Sequence, residues 1–130
     1  MSSHAVIAIV NFEGKILLGK KKTSSPKFLA GEWHIPGETV EFGESDSEAL
    51  IRGIKEEANI SVKVGRYVGS SITPTSKKLA NWYECFAETD KFIAGSDLEE
   101  IKWVSRKDVL DLISPRVSEN WPMKILDYFR

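Results

Sequence analysis

Residues Ala5–Phe12 (AVIAIVNF) form an apolar, β-branched run, the pattern of a buried strand. Glu13-Gly14 reads as a turn, and Ile16-Leu17-Leu18 continue as the hairpin partner. From Lys20-Lys21-Lys22 to Ala30 the chain carries Ser, Thr and Pro without periodicity, which predicts an exposed loop. Glu32–Pro36 is a short apolar stretch that breaks at Pro36-Gly37. A helix is expected to begin at Ser45, because Ser45 with Glu48 three residues on has the spacing of a capping box. Leu50, Ile54 and Ala58 then recur every four residues and give the helix one apolar face. Asn59 tolerates the left-handed conformation that ends such a helix.

Ile60–Val68 alternates imperfectly and reads as a strand, Thr73–Lys78 as a loop, and Asn81–Glu88 as an aromatic-rich strand. Gly95-Ser96-Asp97 predicts a turn, and Ile101–Val104 a short strand. Ser105 with Asp108 marks another helix start, which would bury Val109, Leu110, Leu112 and Ile113. Trp121, Ile125 and Phe129, four apart, predict a C-terminal helix with a core-facing stripe. Strands, a helix, strands and helices in that order fit a mixed sheet covered by helices on its faces, rather than a doubly wound parallel sheet. With 130 residues, and with no internal repeat, low-complexity tract or linker, residues 1–130 are expected to form a single domain.

Composition narrows the chemistry. Hydrophobic residues make up 42 % and include four Trp, enough for one core without disulfide or metal staples. The net charge of −1 gives no electrostatic footprint for a nucleic acid polymer or an anionic membrane. An anionic substrate would have to be held by local cations or metal ions. The single cysteine, Cys85, excludes an intrachain disulfide and reads as a small buried thiol in a reducing compartment. Ser2, Ser3 and His4 lead straight into a strand-like run, which is no signal pattern, and that run is too short to span a membrane. The expectation is a soluble, cytoplasmic protein.

The stretch Gly37–Ile60, GETVEFGESDSEALIRGIKEEANI, concentrates acidic residues around the predicted helix. Arg52 and Glu56 share a face, Glu57 is adjacent, and Glu44 lies at the helix start. Hard cations such as Mg²⁺ take one or two carboxylates plus substrate phosphates, so Glu56 and Glu57 with the Gly37 carbonyl could form such a nest. The same residues also read as a solvated acidic face carrying an Arg52–Glu56 ion pair of ~0.5 kcal/mol.

This stretch resembles the Nudix box, G-x5-E-x7-R-E-U-x-E-E-x-G-U with U aliphatic. Glu44 takes its first acidic position, Arg52 the arginine, Ile54 the aliphatic position, Glu56-Glu57 the acidic pair and Ile60 the final aliphatic residue. The strand order on both sides is similar to small MutT-like members, which extends the resemblance to nearly the whole chain. It implies a Nudix-like α/β/α sandwich with a central mixed sheet. It also implies metal-assisted hydrolysis, with Mg²⁺ or Mn²⁺, of a nucleoside diphosphate linked to another group. Gly37, Glu56 and Glu57 would hold metal, and Arg52 would orient a neighbouring carboxylate, with Glu56 its nearest helical partner.

Three positions depart from the box: Glu38 stands at its first Gly, Gly53 at the Glu after Arg, and Asn59 at its last Gly. Glu38 falls in a turn, where it alters geometry. Gly53 removes a carboxylate that serves the family as metal ligand or general base. Asp97, six positions before Trp103, resembles a later acidic family position that binds metal or acts as base; Glu100 is the alternative, and His34 a further candidate. Asp97 equally fits a plain turn residue. Asn120 resembles a base-contacting Asn of MutT-like enzymes, or else caps the last helix with Pro122 in its first turn. Lys21, within the triple lysine, would steer phosphate at the site mouth, Glu44 would contact substrate, and Phe28, Trp82 or Tyr83 could stack on a base. The short chain favours a nucleoside triphosphate as the small-molecule substrate. Gly53 leaves open a nucleotide-binding sensor without turnover, and a homodimer is compatible with the sequence.

Overall fold

The computed structural model describes residues 3–24, 30–74, 76–95 and 98–130. Among these described residues seven strands form one sheet: β1 (Ala5–Phe12), β2 (Lys15–Lys21), β3 (Trp33–His34), β4 (Gly37–Thr39), β5 (Val62–Ile72), β6 (Leu79–Ala87) and β7 (Leu98–Ser105). The order is β3-β2-β1-β6-β5, with β4 paired to β1 and β7 to β2. Only the β1–β6 ladder is parallel among these pairs, so the sheet is mixed. One edge of β1 has two antiparallel partners, β4 at Ala5–Ile7 and β2 at Asn11–Phe12. Between them the Ala8 N–H donates to Pro36 O at 2.9 Å.

Side chains alternate across a strand, and both faces of β1 are covered. Val6, Ala8 and Val10 pack with Ala49, Leu50, Ile54 and Ala58 of helix α1 (Asp46–Ala58). Ile9 packs on the other face with Val109, Ile113, Val117, Ile125 and Phe129. These come from α2 (Val109–Leu112), α3 (Pro115–Ser118), α4 (Met123–Tyr128) and the residues beside them. The expected α/β/α sandwich is the observed fold. Cys85 is buried, and burial pushes its thiol up to about 12. No helix among the described residues is long and apolar enough to cross a membrane.

Tertiary pairing moves several boundaries. Lys20 and Lys21 belong to β2 rather than to a loop: Lys20 pairs with Trp33 of β3 and Glu100 of β7, and Lys21, past a bulge, with Leu98 of β7. Strand β5 starts at Val62, inside its predicted span, and runs on past its end to Ile72, and β7 extends the predicted Ile101–Val104 strand at both ends, to Leu98 and Ser105. The Ser105–Asp108 helix start is a 3-10 turn, Arg106–Asp108, without a side-chain cap; Val109 and Ile113 are buried, Leu110 and Leu112 only partly. Asn120 does not cap α4: Pro122 holds the cap position, and Asn120 is exposed. Trp121 precedes α4 rather than joining its stripe, and packs edge-on against Trp82 with ring centres 4.9 Å apart.

Candidate active site

Helix α1 is fixed at both ends by local chemistry. Ser45 Oγ accepts from Glu48 N at 3.1 Å, Glu48 Oε1 accepts from Ser45 N at 2.9 Å, and Asn59 closes the helix at φ 56°. Asp46, in the first turn, anchors α1 to β6. Its Oδ2 accepts from Tyr83 Oη at 2.6 Å and Asn81 Nδ2 at 3.2 Å, and Oδ1 lies 2.6 Å from His4 Nε2. Burial raises the Asp46 carboxyl, but the bonds from Tyr83, His4 and Asn81 outweigh it and hold the group below the usual carboxylate range. Burial and the Asp46 carboxylate push the Tyr83 hydroxyl up to about 12. Tyr83 is thus engaged on the α1 face. Trp82 beside it points the opposite way and donates Nε1–H to Ser71 Oγ at 2.9 Å.

Arg52 ties the helix to the turn before it. Its Nε donates to Glu44 Oε2 at 2.7 Å and its Nη2 to Glu44 Oε1 at 3.0 Å and Thr39 O at 2.9 Å. Glu56 Oε1 stands 3.5 Å from Nη1. The main partner of Arg52 is therefore Glu44, because the planar guanidinium fork matches a carboxylate edge better than a single contact four residues along an exposed helix. The bond from Arg52, followed by the Glu41 N–H, holds the Glu44 carboxyl below its ordinary range, and Glu44 in turn raises the guanidinium. The Glu44 carboxylate, expected from sequence to contact substrate, is committed to this clamp, and Glu44 is not among the residues that line the cavity beside it.

In front of the clamp lies an open cavity of about 760 Å³. Gly37, Glu56 and Glu57 line it, as do Lys21 and Asn120, residues selected from the sequence for metal and substrate. His34 also lines it, from β3 opposite Gly19. Glu100 is exposed on β7 opposite Lys20. Asp97 and Phe28 lie outside the described residues. Lys78, Ser71, Trp82 and Trp121 complete much of the wall. The chain leading toward Asp97 is stitched to the end of α1: Ile93 N–H donates to Ala58 O at 3.0 Å and Gly95 N–H to Glu57 O at 2.7 Å. A Cβ at Gly95 would stand 2.4 Å from Glu56 O, so only glycine permits this approach.

Glu38, read from sequence as a turn residue, lies in β4 opposite Val6 and lines the cavity. A Cβ built on Gly53 would come within 2.9 Å of Glu38 Cβ, 3.1 Å of Cγ and 3.3 Å of Oε2. Glu38 Oε1 accepts from Thr39 N at 3.0 Å, and Oε2 stands 3.6 Å from Arg52 Nη1. The signal was present in the sequence: one box position exchanges Gly for Glu and another Glu for Gly.

Among the described residues, no three His, Cys, Asp or Glu side chains close into a ready-made metal cage. Glu38, Glu56 and Glu57 nonetheless present hard oxygen donors to one cavity. That set suits a cation such as Mg²⁺, which keeps several waters and takes its remaining ligands from substrate phosphates.

A family profile described as NUDIX domain matches residues 2–125. A CTP pyrophosphohydrolase of Escherichia coli is 43 % identical over 65 residues, covering 50 % of this chain and 47 % of that protein. An NAD-capped RNA hydrolase of Pseudomonas putida is 29 % identical over 115 residues, covering 88 % of this chain and 40 % of that protein. The chain thus matches less than half the length of either relative. The crystal structure of a MutT protein from Methanosarcina mazei superposes with a TM-score of 0.74 at 25 % identity, covering 98 % of this chain and 89 % of that one.

Proposed function

This chain belongs to the NUDIX family, and we propose that it hydrolyses the diphosphate linkage of a nucleoside triphosphate with Mg²⁺ or Mn²⁺. Water adds across a P–O–P bond and releases a nucleoside monophosphate and pyrophosphate. The observation that carries this reading is the convergence of acidic and basic groups on one cavity: Glu38, Glu56, Glu57 and Gly37 with Lys21, Lys78 and Asn120.

Glu56, Glu57 and the Gly37 main chain would hold the divalent ion, which when bound would neutralise phosphate charge and lower the pKa of a water molecule. Lys21 and Lys78 complement the phosphate oxygens electrostatically. Trp82 and Trp121 give the cavity apolar surface for a nucleobase, and Asn120 has the amide that a base edge requires. Arg52 and Glu44 act as positioning residues, because their clamp holds β4 against α1 and so fixes the carboxylates relative to one another. The nucleotide substrates named for the two relatives agree with this class of chemistry.

The test is a panel of nucleoside triphosphates, nucleotide sugars, ADP-ribose and dinucleoside polyphosphates, incubated with either ion, with all products quantified. Triphosphate turnover that disappears in a folded Glu57→Gln variant is the expected result. Turnover unchanged in that variant would remove Glu57 from the metal site. Nucleotide binding without product under either ion would make the chain a binding protein.

A further inference from the structure

We infer that Glu38 supplies, from strand β4, the carboxylate that the Nudix box otherwise places on the helix at position 53, and that it faces the divalent cation together with Glu56 and Glu57. The inference rests on the proposed metal-dependent chemistry of this cavity.

Three observations carry it. The first is steric. Gly53 is buried, and its missing side chain leaves a space that Glu38 occupies, with Glu38 Cβ 2.9 Å and Oε2 3.3 Å from where a Cβ on residue 53 would stand. The nearest atom is Glu38 Cβ, which is fixed by the strand backbone and cannot swing aside as a carboxylate can. A side chain at 53 and a glutamate at 38 therefore exclude one another. Gly53 does not simply lack a carboxylate; it admits one from the facing strand.

The second observation is direction. Glu38 pairs with Val6, whose side chain packs among the α1 residues, and antiparallel partners project from the same face of a sheet. Glu38 thus projects toward α1, and it lines the same cavity as Glu56 and Glu57. The third is restraint. Thr39 N–H holds one carboxylate oxygen at 3.0 Å, and Arg52 Nη1 stands 3.6 Å from the other. Arg52 already clamps Glu44 and Thr39, so one guanidinium positions Glu38 and the turn against the helix. A carboxylate restrained in this way meets the requirement that ligands be held in place before the ion arrives.

The test exchanges the two residues. Four variants are needed: Glu38→Gln, Glu38→Gly, Gly53→Glu and the double variant Glu38→Gly/Gly53→Glu. Mn²⁺ affinity is read from the electron paramagnetic resonance signal of free Mn²⁺, without nucleotide, beside thermal melting and triphosphate turnover. Glu38→Gln keeps shape and loses charge, so it should weaken Mn²⁺ binding by about tenfold or more while melting like the wild type. Gly53→Glu alone should lower the melting temperature, because its Cβ meets Glu38. The double variant should recover the melting temperature and Mn²⁺ affinity to within about threefold of wild type.

Wild-type Mn²⁺ affinity in Glu38→Gln would overturn the inference. So would a folded double variant that binds Mn²⁺ as weakly as Glu38→Gly. Should the double variant fail to fold, the Glu38→Gln titration decides alone. Mn²⁺ affinities that follow the expected pattern in a protein without turnover would uphold Glu38 as a cation-facing group and refute only the hydrolytic reading.

Discussion

Replacing Tyr83 by Phe removes one hydroxyl and tests how α1 is held to the sheet. The Tyr83 hydroxyl donates to Asp46 Oδ2 at 2.6 Å, and Asn81 and His4 supply the other contacts to that carboxylate. A hydrogen bond to a charged group contributes ~1.5–3 kcal/mol. The Asp46 side chain keeps 21 % of its exposure, so water replaces part of what is lost, and a destabilisation of about 1–2 kcal/mol is expected at neutral pH. For a domain of this size that lowers Tm by roughly 3–8 °C.

The pH dependence has a definite sign. The folded-state pKa of Asp46 is depressed, so its stabilising contribution is complete above the ordinary carboxylate pKa of about 4 and fades as pH falls through the folded value. Tyr83 is shifted the other way, so its contribution is complete below the ordinary value of about 10. It is lost as pH rises toward its folded value of about 12. Urea unfolding of wild type and variant at several pH values measures the difference directly. It should be largest near neutrality and shrink below about pH 4 and above about pH 10. Equal stabilities at pH 7, or a difference that grows on acidification, would refute this account of Asp46.

Two further substitutions test the walls of the cavity. Gly95→Ala forces a Cβ to 2.4 Å from Glu56 O, and either the clash or its relief by breaking the Gly95–Glu57 backbone bond should cost about 1–3 kcal/mol. Chemical denaturation checks the magnitude, and a loss of turnover larger than the loss of stability explains would show that the 93–95 segment positions the α1 carboxylates. Trp121→Ala removes ring contacts with Trp82 at 4.9 Å and Phe129 at 6.0 Å, and should cost about 2–4 kcal/mol. In the same variant KM for a triphosphate should rise more than kcat falls, which steady-state kinetics would resolve.

Local signals in the sequence translated directly into structure. Ser45 and Glu48 form the capping box, Leu50, Ile54 and Ala58 face the core, and Asn59 takes the left-handed end. Each depends only on neighbours a few residues away. Gly37, Glu56 and Glu57, selected by the Nudix-like spacing, line one cavity, together with Lys21 from the triple lysine and Asn120 from the C-terminal stretch. What failed depended on tertiary pairing. Lys20 and Lys21 looked like loop residues because nothing local reveals that β3 and β7 flank them. Helical spacing pairs Arg52 with Glu56, whereas the turn folds Glu44 back onto its guanidinium. Asn120 had the composition of a cap, but the short helix begins at Met123, behind Pro122. Glu38 and Gly53 read as unrelated departures until β4 was seen to lie under α1.

The proposed role of the α1 carboxylates is metal-dependent cleavage of a nucleotide diphosphate bond. It is tested most directly by pyrophosphate release from a nucleoside triphosphate, with Mg²⁺ and with chelator, by wild type and by Glu57→Gln. Release is expected only from the wild type with Mg²⁺, both proteins having the same circular dichroism spectrum. Equal release from the two folded proteins, or release that persists in chelator, would contradict it.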